Sequence, residues 1–264
     1  MTAQAQEGLR FRDRDTSMAA CPLEEAFGPD FPRPPFRMLS TANYRGYVGS
    51  WEVRDNLLHL TALRGQVTTG TPEEPQADAV TLHDLFPHAP NDGIFADWCT
   101  DWLRVRWGAM TRYVHAGFAS EYDRELFLGV SAGYLVAVHD VTNADPPVVA
   151  RELTPRLEEV FPDDAPFLRA LHVNWADRLP RLVYADWLDE RSDPRGELLR
   201  VDVALADSPD DADLKARRTV VLTTVKDWFW MKLVGCDPPR NEWGVGTADV
   251  VTGRRPLGGW RSPR

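Results

Sequence analysis

Glu125-Leu-Phe-Leu-Gly-Val130, Ser131-Ala-Gly133 and Tyr134-Leu-Val-Ala-Val-His139 follow one another without a break. Two short runs rich in aliphatic residues flank a small turn that ends on glycine, which adopts positive φ at no steric cost. The pattern reads as a β-hairpin and places this part of the chain in a sheet. Upstream, Gly46-Tyr-Val-Gly-Ser-Trp-Glu-Val53 and Leu57-Leu-His-Leu-Thr-Ala-Leu63 flank Arg54-Asp55-Asn56, a second hairpin. Trp102-Leu-Arg-Val-Arg-Trp107 alternates cleanly, so only one of its faces can enter a core. Leu103, Val105 and Trp107 make the better core face. Trp102, Arg104 and Arg106 are expected to meet solvent or a partner, because two arginines are costly to bury without carboxylates. Thr111-Arg-Tyr-Val-His-Ala116 reads as a further strand, Thr68 to Ala79 as an exposed insertion, and Thr81 to Phe86 as a short helix ended by Pro87.

Further along, the period changes. Ala165 to Val173 is a short helix candidate. On Leu179 to Glu190, Leu182, Ala185 and Leu188, with Val183 and Trp187, build one apolar face. Ser192-Asp193-Pro194 breaks this helix, and Asp193 followed by Pro194 is a helix start signal. The next helix runs through Leu205, and Ser208-Pro209-Asp210 opens a last one toward Leu233. The fold class expected is α+β, an antiparallel β-rich domain followed by a small helical module. The expected boundaries are a Pro-rich N-terminal tail over 1–35, the β-rich domain over 36–145, the helical module over 152–235 and an irregular C-terminal tail over 236–264.

Phe167-Leu-Arg-Ala-Leu171 and Leu179-Pro-Arg-Leu-Val-Tyr-Ala-Asp-Trp-Leu-Asp-Glu-Arg-Ser-Asp-Pro-Arg-Gly-Glu-Leu-Leu-Arg200 form a long, distinctive pattern. Over roughly residues 165–220 the chain resembles the repeat-companion domain family, a short bacterial module of the planctomycete type. After Val220 it departs from that pattern. The resemblance implies a helical module that accompanies other domains, and it brings no activity with it. Its carriers here are Tyr184, Asp186, Trp187, Glu190, Asp193, Pro194, Arg195 and Gly196, read as a structural signature in which the acids cap or pair with arginines. The central region resembles an uncharacterised bacterial β-domain through Tyr44-Arg-Gly-Tyr47, Trp51-Glu52, Phe95-Ala-Asp-Trp98, Tyr113-Val-His-Ala-Gly117 and Glu121-Tyr122.

The whole chain has 264 residues and a formal net charge of −10. Phosphate contacts need clustered Lys and Arg, so direct generic nucleic-acid binding is not expected. Residues 236–264, with five basic and three acidic residues, are the one basic stretch at an end. The three cysteines are too few and too scattered for a disulfide framework. There is no apolar run long enough for a membrane span, and the N-terminus lacks the apolar core of a secretory signal. A cytoplasmic protein is the expectation, and the Arg-rich, Lys-poor composition hints at a bacterial source. Cys99 lies between Asp97 and Asp101, and negative neighbours disfavour a thiolate. The six histidines show no metal-ligand spacing, and phosphate-loop, dinucleotide and nucleophile-elbow patterns are missing. No metal and no cofactor is expected.

The functional expectation is a non-enzymatic cytoplasmic protein-binding protein, an adaptor or an immunity-type partner of another protein of basic character. Trp102, Arg104 and Arg106 are the expected partner-binding residues, since Trp, Tyr and Arg are enriched where binding energy concentrates. Two alternatives stand beside it. One is a hydrolase in which His115, its pKa raised by Glu121 or Asp123, serves as general base. The other is an accessory subunit of a nucleic-acid-handling complex that touches nucleic acid through the basic tail.

Overall fold

The computed structural model describes residues 2–71 and 73–236, so residues 237–264 of the expected C-terminal tail lie outside the described residues. The chain divides into two units, Met1–Ala150 with Thr154–Val160, and Arg151–Leu153 with Phe161–Arg264. The first unit opens with β1 (Glu7–Phe11) and β2 (Arg14–Met18). One turn of 3-10 helix at Pro22–Ala26 follows, then β3 (Tyr47–Arg54), β4 (Leu57–Gly70) and β5 (Pro75–Thr81). After the single-turn α1 (Leu82–Leu85) come β6 (Ile94–Phe95), β7 (Asp101–Arg106), β8 (Met110–Arg112) and β9 (Glu121–Tyr122). β10 (Arg124–Ser131), β11 (Tyr134–Thr142), β12 (Val148–Leu153, of which Arg151–Leu153 count with the second unit) and the single-turn α2 (Leu157–Val160) complete the series.

The main sheet has the order β12-β11-β10-β7-β2-β1-β3-β4-β5, with β6 also on β4. A further pairing of β4 with β11, at Leu57 and Tyr134, joins the two ends of its central part. Seven strands thereby close into a barrel, and β5, β6 and β12 are added to it. Closure removes the open edges that a seven-stranded sheet would otherwise present. β8 and β9 form a separate two-stranded piece.

Two expectations are corrected here. The N-terminal stretch is not all tail, because β1 and β2 are barrel staves. Glu7, Leu9 and Phe11 point inward while Gly8 and Arg10 alternate with them. The sheet is also not purely antiparallel, because β1 pairs with β3 in parallel, Leu9 opposite Trp51. A parallel neighbour needs a long crossover, and residues 19–46 supply it. That crossover carries the Pro-rich run, which lies along the barrel as an aromatic chain. Phe27 stacks on Phe31 at 5.5 Å, Phe31 meets Phe86 at 5.2 Å, and Phe36 meets Tyr47 at 4.8 Å.

Three tight hairpin loops have both central residues at positive φ: Arg12 and Asp13, Asp55 and Asn56, Ala132 and Gly133. This is the loop geometry whose twist matches paired strands. At Gly133 a side chain is excluded twice over, by φ of +80° and by the Phe95 ring 2.6 Å from where a Cβ would stand. The hairpins expected at 54–56 and 131–133 are therefore present. Thr68 to Ala79, expected as an insertion, pairs with itself as the outer part of β4 and β5. The barrel is filled by Leu9, Met18, Trp51, Leu60, Leu103, Val105, Leu128 and Leu135, all nearly or fully buried.

The second unit holds α3 (Ala165–Val173), α4 (Leu179–Asp189), α5 (Arg195–Asp207), α6 (Ala212–Val221) and α7 (Trp228–Val234). The last helix expected from sequence is two. Asp211 caps α6 by accepting from the Asp213 and Leu214 amides, and Asp227 caps α7 by accepting from the Trp230 amide at 2.8 Å. Each aspartate offers the backbone a new helix start that competes with continuation. On α4 the buried face is Tyr184, Ala185 and Leu188, whereas Val183 is exposed and Trp187 half-buried.

The signature residues of this unit form a connected network. Tyr184 donates its hydroxyl to Asp164 and accepts from Trp230 Nε1 at 3.0 Å. Arg195 reaches Asp164 at 3.3 Å and Asp193 at 2.8 Å, and lies over the Trp230 ring at 5.2 Å. Asp193 accepts from the Arg195 amide at 2.9 Å, so α5 starts one residue after Pro194. Arg200 clasps Asp186 at 2.6 Å and also Asp189. Gly196 lets α5 approach α4, because a Cβ there would collide with Asp189 and with the Ala185 carbonyl. Trp187 packs on Phe167 at 4.9 Å under the Arg191 guanidinium, while Glu190 is exposed beside Arg191.

Candidate functional site

β7 alternates as its sequence requires, with Leu103 and Val105 fully buried in the barrel. Its other face is not an open surface along its length, which corrects the expectation for Trp102 and Arg104. Trp102 is 5% exposed, with its ring about 3.0 Å from where a Gly129 Cβ would stand and 4.6 Å from His139. Glycine opposite the indole makes room for it. Arg104 is held by Glu125, with Nε to Oε1 at 2.7 Å. It also donates to the Phe118 and Ser120 carbonyls at 2.7 and 2.8 Å. Glu125 in turn accepts from Asn143 at 2.9 Å. The carboxylate that makes this burial tolerable thus comes from β10, and Arg104 fastens the loop between β8 and β9 to the barrel wall.

Arg106 differs. Its guanidinium lies over the Tyr122 ring at 5.6 Å. It borders a cavity of about 370 Å³ lined also by Gln4, Gln6, Met110, Tyr113 and Tyr122. The floor is polar and internally satisfied. Gln6 donates to the Tyr122 hydroxyl at 3.3 Å and accepts from Ser17 at 2.5 Å, and Ser120 accepts from the Val114 amide at 3.1 Å.

The extended chain before β1 forms one wall. Gln4 donates its amide to Gly117 at 2.8 Å, Gly117 donates to Thr2 at 3.1 Å, and Ala5 donates to Ala42 at 2.6 Å. The Gln4 side chain bonds Thr41 and the Tyr44 amide. Residues 2–6 are therefore pinned between two loops. Large apolar side chains stand in water near both loops: Met110 on β8 and Tyr113 just after it, and Met38, Leu39 and Tyr44 on the other, each between 44% and 60% exposed.

His115 sits in the loop between β8 and β9 and not on a strand. Its Nδ1 is 3.0 Å from the Tyr113 hydroxyl, while Glu121 pairs with Arg112 at 2.5 Å. Asp123 is exposed, with its amide bonded to Ala109. The structure thus directs His115 to a tyrosine, and no hydrogen bond joins it to either expected carboxylate. Arg106 and Tyr113 do line one groove, which neither strand pattern nor spacing announced; His115 is not among its lining residues.

Two clusters of titratable groups were missed in the sequence, one buried around Glu7 and one around the exposed Glu25. Glu7 is fully buried and paired with Arg45 at 3.0 Å, and it accepts from Trp51 Nε1 at 2.5 Å. Burial raises its pKa, opposed by Arg45, Trp51 and the Gly49 amide. Burial also pushes the nearby Cys21 thiol up to about 12 and raises the Tyr47 hydroxyl. Neither is an activated nucleophile, so the cluster ties β1 to β3. At the 3-10 helix, burial raises the Glu25 carboxyl to about 7; the Thr100 amide at 2.9 Å and the Cys99 thiol oppose this, and Asp101 adds to it. Burial and these carboxylates hold Cys99 well above the usual thiol range.

Among the described residues, no group of three His, Cys, Asp or Glu is placed to hold a metal ion. No described helix is long and apolar enough to cross a membrane. Comparison with protein-family models, with curated proteins and with solved structures finds no match.

Proposed function

We propose that this protein is a cytoplasmic, non-enzymatic protein-binding protein, an adaptor or immunity-type partner that docks through the groove beside β7. One observation carries the reading: Arg106, Tyr113 and Met110 line one formed cavity, and the loop that bonds its Gln4 wall through Thr41 and Tyr44 exposes Met38, Leu39 and Tyr44. Arg, Tyr and Met are the side chains that interfaces enrich, and exposed apolar side chains in the cavity lining and on the loop bonded to Gln4 exceed what solubility requires. The distributed acidity of the chain, −10 overall, speeds encounter with a partner of basic character. In this reading the helical unit is a repeat-companion-type module, whose Tyr184–Asp164–Arg195 network gives it a rigid shape of its own.

Co-purification with quantitative mass spectrometry, comparing wild type with the Tyr113→Ala, Met110→Ala double variant, tests this. A protein captured by wild type and depleted from the variant is the expected result. The same capture profile from both, with unchanged melting, sinks the groove as the docking surface.

A further inference from the structure

We propose that Arg106 receives a carboxylate side chain from the partner, an Asp or Glu with a large apolar residue beside it. This rests on the docking reading of the groove and adds the chemistry of the contact.

Three neighbouring guanidinium groups have a counter-charge. Arg104 has Glu125, Arg112 has Glu121, and Arg124 has Asp140. Arg106 has none among the described residues; its one charge-related contact is the Tyr122 ring. It is nonetheless partly withdrawn from water, where an unpaired cation is held at a cost. The guanidinium fork matches a carboxylate with two parallel, charge-assisted hydrogen bonds, so an incoming Asp or Glu removes that cost and gains the bonds.

The rest of the groove defines what accompanies the carboxylate. Gln6, Ser17 and Ser120 already spend their hydrogen bonds on one another and on the protein. Arg106 is thus the single uncommitted charge, which suits a monoanion. A phosphate dianion calls for further cations, and the lining includes no second one. Met110, Phe118 and Tyr113 supply apolar walls, and a cavity of about 370 Å³ takes a group of side-chain to dipeptide size. The loop bonded to the Gln4 wall of the cavity also exposes Met38, Leu39 and Tyr44, apolar surface that a partner protein covers and a small carboxylic acid does not. A protein surface is therefore the source of the carboxylate.

The test uses the full chain and two capped peptides, Phe-Asp-Phe and Phe-Asn-Phe, titrated while arginine side-chain and backbone amide resonances are followed by NMR. The Asp peptide is expected to shift the Arg106 Nε–H signal and the Gly117 amide. Its binding should be roughly tenfold or more tighter than that of the Asn peptide, the usual advantage of a hydrogen bond to a charged group. Arg106→Gln should bind both peptides alike, and Arg106→Lys should keep part of the preference. Equal binding of the two peptides by wild type, with groove signals moving, overturns the carboxylate pairing and leaves the docking reading standing. Groove signals that move with neither peptide overturn both. The wild-type comparison decides the matter even if a variant fails to fold.

Discussion

Arg104 and Arg106 stand two residues apart on one face of β7. Arg104 meets Glu125 and two loop carbonyls, whereas Arg106 meets a tyrosine ring and a cavity. Arg104→Ala should leave Glu125 short of its counter-charge and release the loop after β8, costing about 2–4 kcal/mol in urea denaturation. Arg106→Ala should stay within about 0.5 kcal/mol of wild type, as surface changes away from structural networks do. Equal losses at the two sites would contradict this division of labour. In the helical unit, Tyr184→Phe deletes the hydroxyl between Asp164 and Trp230. It leaves the ring stack on Phe167 intact, at 5.0 Å. The expected loss is about 1–3 kcal/mol, the cost of stranding buried polar partners. A variant as stable as wild type would show that the network is not structural.

The most informative elements are β1 and β3, which pair in parallel around Glu7. Gly49 is the residue that permits this, because a Cβ there would press on the Glu7 carboxylate and on Trp51 Nε1. Gly49→Ala should therefore overpack the barrel end and cost about 1–3 kcal/mol. An unchanged denaturation midpoint would mean that the cluster has room to spare. The break between α6 and α7 rests on the Asp227 cap that restarts the helix, and Gly235, with φ of +82°, ends α7. Neither element required a Pro, so helical periodicity alone ran straight through the junction.

For the molecule as a whole, pH separates two groups whose pKa values desolvation moves in opposite directions. Glu25 has a folded pKa of about 7 against an ordinary 4.5. The folded state then binds more protons than the unfolded chain within that window. Its contribution is fully present below about pH 4.5 and is lost as pH rises through about 7. Glu25→Gln should gain stability relative to wild type as pH rises across that range. A difference in melting temperature that stays flat with pH would refute the assignment. His172 runs the other way, its pKa lowered to about 4 by burial, against the bond its Nε2 makes to the Leu233 carbonyl. Stability from its neutral form is present above pH 6.5 and is lost as pH falls toward about 4. His172→Gln should flatten that acid limb. With −10 overall, binding to generic duplex DNA at physiological salt should be negligible. A submicromolar affinity with a steep salt slope would overturn that expectation.

The alternating runs around Asp55-Asn56 and Ala132-Gly133 were legible as hairpins because period and turn residues agree there. The helical stripe from Leu182 to Leu188 was legible because its period and the Ser192-Asp193-Pro194 break agree. β1 and β2 were not, since Arg12-Asp13 is a poor advertisement for a loop that needs positive φ at both positions. Their inward residues also include Glu7, a charge that only Arg45, Trp51 and Gly49 make acceptable. The two faces of β7 followed from local sequence through Leu103 and Val105. Which of Trp102, Arg104 and Arg106 remains available did not, because Gly129 and Glu125 come from β10 and Tyr122 from β9. Local pattern determines where a side chain points. Whether it ends in water, in a salt bridge or in a groove depends on partners distant in the chain, and only the closed barrel brings those partners together.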